Sequence, residues 1–139
     1  MIPQELPLWS SAYVGIPFKA HGRDRQGCDC WGLLRLVYLE QFGISVPSHD
    51  GPSWEPGTAP EEIARVIAAE SLAYPEITLG EERLGDGLVV RMPDGEIHVA
   101  LVLCPGWMLH VEESCASVIE PYCGMRWQRR IARVHRVLP

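Results

Sequence analysis

The spacing of hydrophobic positions changes near the middle of this chain. After Cys30, Leu33, Leu34, Val37, Tyr38 and Phe42 recur at three- and four-residue steps, which predicts an amphipathic helix. Asp29 stands where a helix N-cap belongs, and Gly43 where a C-terminal stop belongs. A shorter helix is expected over Pro7 to Tyr13, with Pro7 in a tolerated first-turn position and Gly15-Ile16-Pro17-Phe18 breaking it. Lys19 to Gly27 is polar and glycine-bounded, and reads as a surface loop. Ser48 to Pro60 is a loop by composition; Pro60-Glu61-Glu62 then opens a second helix that carries Ile63, Val66 and Ile67 on one face as far as about Leu72. Beyond it the apolar runs are short and β-branched: Leu88–Val90, Ile97–Leu103, Met108–Val111, Ser117–Ile119 and Ile131–Leu138, with Gly/Pro turns between them. Helices followed by an antiparallel meander of about five strands predict an α+β fold.

The 139 residues suit a single domain over 1–139, and 47% hydrophobic residues suffice for a core. A net charge of -6 argues against nucleic acid as a partner. No segment reaches the ~18–20 apolar residues of a membrane span. Met1 to Pro7 has neither the basic region nor the apolar run of a secretion signal, so synthesis in the cytoplasm without a signal peptide is expected. Arg126, Arg129, Arg130, Arg133 and Arg136 crowd the C-terminal end, where they read as a solvated edge strand or as a docking patch for an acidic partner. The five cysteines, Cys28, Cys30, Cys104, Cys115 and Cys123, are read as thiols. Paired C-x-x-C knuckles are lacking, so a metal cofactor is not expected.

Chemistry concentrates in two places. Gly27-Cys28-Asp29-Cys30-Trp31-Gly32-Leu33 sets Cys30 at a helix N-terminus, where unpaired backbone N–H groups favour a thiolate. Such sites hold cysteine pKa values within ~3.5–7.5, although a buried structural cysteine is the alternative. His98 lies in an apolar strand and His110 in the next, so both imidazoles need partners. A turn at Cys104-Pro105-Gly106 pairs residues of equal parity. The two histidines should therefore share one face of a hairpin, with Cβ atoms within ~8 Å.

Over most of its length the sequence resembles the NlpC family of papain-like cell-wall cysteine endopeptidases, and more narrowly its single-domain branch associated with phage tails. Gly27-Cys28-Asp29-Cys30-Trp31-Gly32-Leu33 resembles the family's Asp-Cys-x-Gly-Leu motif. Tyr13-Val14-Gly15-Ile16-Pro17-Phe18, Gly85-Asp86-Gly87-Leu88-Val89-Val90 and His98-Val99-Ala100-Leu101 resemble the segments around the catalytic residues. The resemblance implies a papain-like fold, with Cys30 as nucleophile, His98 as its base and His110 orienting His98. It also implies that the Cys30 backbone N–H serves the oxyanion and that Phe18, Asp29 and Trp31 lie nearby. The implied reaction is hydrolysis of a γ-D-glutamyl-diamino acid bond in a peptidoglycan stem peptide, with other phage tail-tip proteins as partners. Phe18 stands where a tyrosine is common, Cys28 is an added thiol, and the segment at about 48–75 is an inserted loop and helix. Two alternatives keep the fold. One is a CHAP-type amidase using Glu112 or Glu113 as third residue, and the other is a non-catalytic subunit of a phage tail tip.

Overall fold

The structure, a computed structural model, describes residues 5–48, 70, 72–93, 95 and 97–139. Leu8–Tyr13 forms a 3-10 helix rather than an α-helix. A two-residue hairpin follows, β1 (Arg23–Asp24) against β2 (Gly27–Cys28), inside what the sequence presents as a loop. The helix α1 spans Cys30–Phe42. Asp29 caps it by accepting the Gly32 N–H, and Gly43 ends it in the left-handed region at φ 65°. The helix is less amphipathic than its spacing suggests, because Trp31 to Leu34 and Leu36 to Tyr38 are all buried. Its polar positions are the half-buried Arg35 and the exposed Glu40 and Gln41.

The remaining strands are β3 (Glu76–Ile77), β4 (Gly87–Arg91), β5 (Ile97–Cys104), β6 (Trp107–His110), β7 (Val118–Pro121) and β8 (Ile131–His135). They form one antiparallel sheet of six strands, in the order β3-β8-β4-β5-β6-β7, so the α+β expectation holds with one strand more than about five. β8, which holds Arg133 of the arginine cluster, is not an edge strand: β3 covers one side of it and β4 the other. Arg136 fastens this region by a two-pronged ion pair to buried Asp86, with Nη2–Oδ2 at 3.0 Å and Nε–Oδ1 at 3.1 Å. The inserted loop and helix expected at about 48–75 lie mostly outside the described residues; Glu70 is helical.

Side chains alternate across the sheet, and this divides the core in two. Val89, Val99, Leu101, Leu103, Leu109 and Val111 pack with α1. Leu88, Val90, Ala100, Val102, Met108 and Val134 pack on the other face with Tyr122 and Trp127. Backbone bonds tie the segment before the hairpin to the β6–β7 connection, with Gly15 N–H to Ser117 O at 2.9 Å and Phe18 N–H to Cys115 O at 2.9 Å. The entrance to α1 is thereby fixed against the sheet.

Candidate active site

Asp29 builds the setting of Cys30, the candidate nucleophile. Its Oδ1 accepts from Gly32 N–H at 2.8 Å and from Arg23 Nη1 at 2.7 Å, and its Oδ2 accepts from His21 N–H at 3.1 Å. Glycine is required at position 32 because a Cβ there would run into the carbonyl oxygen of Gly22. Gly22 is itself pressed against the Gly27 carbonyl, so hairpin and helix start are packed backbone to backbone. Trp31 is buried on the helix side of the sheet and donates Nε1–H to Pro47 O at 2.8 Å. Phe18 is half-buried and forms an isolated bridge to Cys28. Cys28 is fully buried, whereas the half-buried Cys30 retains some exposure.

Hydrogen-bond alternation explains where the Cys30 sulfur meets the sheet. Val102 N–H bonds to Asp86 O at 2.9 Å and Val102 O accepts from Gly85 N–H at 2.9 Å, on the β4 side. By alternation the Val99 N–H points to the β6 side. Toward that end the β5–β6 register reaches Leu101↔Leu109. There the Val99 N–H is aimed at the Cys30 thiol, together with the Trp31 N–H. Both would steady a thiolate, yet burial and the neighbouring Asp29 charge outweigh them and push the thiol up to about 12. The helix N-terminus therefore does not deliver the depressed cysteine pKa expected from its position alone.

His98 precedes Val99 on β5 and faces the second core, opposite α1. His98 and His110 share that face. His98 Nε2 lies 2.9 Å from His110 Nδ1, and the ring centroids are 5.1 Å apart at 76°. Trp127 stacks on His98 at 6.4 Å and meets His110 edge-on at 5.1 Å. Ala100 leaves room between the strands for this pair. Burial, reinforced by His110, lowers His98 to about 3; burial also lowers His110, against the opposing pull of Glu120 and Glu112. Burial thus favours the neutral thiol at Cys30 and the neutral imidazole at both His98 and His110.

A carboxylate that sequence reading overlooked stands behind the histidines. Glu120 Oε1 is 3.3 Å from His110 Nε2, and it also accepts from Trp127 Nε1–H and, at 3.4 Å, from Arg126 Nη1. The available signal was the alternation of Val118-Ile119-Glu120, which puts Ile119 with the α1 core and Glu120 on the histidine face. Glu112 points to Arg126 Nη2 at 2.8 Å, while Glu113 is exposed, so it is His110 that meets His98. Among the described residues, His110, Glu112 and Glu120 form a set whose ligand atoms lie within 4.8 Å of one another. Arg126 already supplies the positive charge between the two carboxylates.

Residues 15–136 match the NlpC/P60 family. Protein P54 of Enterococcus faecium is 31% identical over 106 residues, covering 76% of this chain and 17% of that protein. The murein DD-endopeptidase/LD-carboxypeptidase MepS of Escherichia coli K12 is 22% identical over 126 residues, covering 91% of this chain and 58% of that protein. The chain therefore spans less than two thirds of either relative. The crystal structure of the NlpC/p60 domain of the peptidoglycan hydrolase SagA superposes with a TM-score of 0.63 at 22% identity, covering 92% of both chains.

Proposed function

The chain belongs to the NlpC/P60 family, and from that membership we propose that it is a cysteine peptidase that hydrolyses an amide bond in peptidoglycan stem peptides. One observation carries the reading: the Cys30 sulfur rests on the backbone N–H of Val99, and the residue before Val99, His98, is held 2.9 Å from His110. The names of the relatives, a murein endopeptidase and a peptidoglycan hydrolase, support the substrate class.

The chemistry follows from the neutral pair. As the thiol sulfur attacks the scissile carbonyl, its proton passes to His98 and His110 holds the imidazole in place. The Cys30 N–H, at the start of α1, has no acceptor within the helix and is the donor offered to the developing oxyanion. His98 then gives the proton to the leaving amine, and water releases the acyl group from sulfur. The finer proposal is a γ-D-glutamyl-diamino acid bond, with a phage tail as the setting; it rests on the spelling Gly27-Cys28-Asp29-Cys30-Trp31-Gly32-Leu33.

Mass spectrometry of purified peptidoglycan fragments tests the reading. The protein should release a new amine terminus at the stem peptide, and Cys30→Ala should release none. Turnover that survives Cys30→Ala would refute it. Cleavage at the glycan–peptide amide would favour an amidase, and absence of the protein from purified virions would remove the tail setting.

A further inference from the structure

We propose that Glu120 is a positioning residue that selects the tautomers of both histidines and thereby leaves His98 Nδ1 bare as the proton acceptor. The inference rests on the reading of Cys30 as nucleophile and His98 as its base. His98 Nε2 and His110 Nδ1 lie 2.9 Å apart, so one of them carries the shared proton and the other accepts it. If His110 Nδ1 donated, His98 would hold its proton on Nδ1 and have no free nitrogen for the thiol. If His98 Nε2 donates, His98 Nδ1 is bare. The pair alone does not choose between these arrangements.

Glu120 makes the choice. His110 is 0% exposed, and its Nε2 has no aligned hydrogen-bond partner among the described residues. The nearest charge is Glu120 Oε1 at 3.3 Å. A bare Nε2 would turn its lone pair toward that carboxylate, whereas an Nε2–H presents a positive edge to it, so electrostatics favour the protonated Nε2. With its proton on Nε2, His110 offers Nδ1 as an acceptor, and His98 must donate from Nε2. The order is then Glu120, His110, His98, thiol.

Glu120 is held for this task from two sides. Trp127 donates its indole N–H to Oε1 while stacking on His98, and Arg126 bridges Glu120 and Glu112 while lying 4.5 Å over the Trp127 ring. The charged and titratable groups facing His110 are thus His98 from β5, Glu120 from β7, Glu112 just past β6, and Arg126.

The test combines 15N NMR of the histidine rings with steady-state cleavage of a stem peptide, using wild type, Glu120→Leu, Glu120→Gln and Cys30→Ala. In the wild type both His98 and His110 should carry the proton on Nε2. Glu120→Leu should mix the tautomers and lower kcat about 10–100-fold with KM nearly unchanged, the range seen when the partner behind a metal-ligating imidazole is removed. Glu120→Gln should lie between, since its amide oxygen still accepts, and it serves if the leucine variant does not fold. Wild-type tautomers or wild-type kcat in the folded variants would overturn the proposal. Full turnover by Cys30→Ala would instead overturn the nucleophile assignment, while the tautomer spectra would still judge Glu120 on their own.

Discussion

At the scale of single residues, Cys30 shows how position and environment compete. A helix N-terminus contributes partial positive charge and open N–H groups, worth about 0.3–2 kcal/mol to a nearby anion. Burial and the Asp29 carboxylate act in the opposite direction and prevail, so the thiol sits at about 12. In the proposed mechanism His98 takes the thiol proton; at about 3 it is unprotonated near neutral pH, and the same burial makes it a weak base in the resting site. Iodoacetamide mapping of His98→Ala at pH 8 should find Cys30 at least about tenfold slower than the exposed Cys115, because thiolate fraction falls faster than nucleophilicity rises with pKa. Equal labelling would mean that the thiol is not desolvated as described. The sequence motif singles out this cysteine but carries no information about the depth at which its sulfur lies.

At the scale of elements, Gly32 sets propensity against packing. Glycine inside a helix costs about 0.8–1.0 kcal/mol relative to alanine, so propensity alone predicts that Gly32→Ala stabilises α1. The added Cβ would strike the Gly22 carbonyl, a rigid backbone atom, and overpacking of this kind costs about 1–3 kcal/mol. Urea denaturation should therefore show Gly32→Ala to be destabilised, and an increase in stability would remove the backbone-contact explanation. What was legible in the sequence follows the same division. Elements with long apolar periods, α1 and β5 above all, stand out because periodicity needs several turns or pleats to show. β1, β2 and β3 are two residues each, too short for any period, and exist because neighbouring strands supply their partners. His98 and His110 share a face as expected, but the turn itself pairs Cys104 with Trp107, of unequal parity, and the register shift between Val102 and Cys104 restores the equal-parity pairs Val102↔Met108 and Leu101↔Leu109. Glu120 was not legible, because its value depends on which residues Trp127 and Arg126 bring against it across two further connections.

At the scale of the whole molecule, placing two neutral histidines in the second core makes stability depend on pH. His98 has a folded pKa of about 3 against about 6.5 when unfolded. His110 is lowered in the same direction, by burial. Between those values the unfolded chain binds a proton that the native site does not, so stability falls as pH drops from 6.5 toward 3, by up to about 1.4 kcal/mol per pH unit for each such group. The thiols act on the alkaline side. Cys28 and Cys30 are both raised to about 12, so the native state keeps protons that the unfolded chain loses, and stability declines as pH rises through 9. The urea midpoint should therefore peak between about pH 6.5 and 8.5 and be lower at both pH 5.0 and pH 9.5. His98→Asn separates this cause from general acid expansion, because it removes one titrating imidazole from the buried pair without adding charge. The acid-side slope of that variant should be shallower by up to one proton's worth, with the alkaline limb unchanged. An unaltered acid slope would mean that His98 exchanges protons as freely in the native protein as in the unfolded chain, and it could not then be the buried, unprotonated base that Cys30 requires.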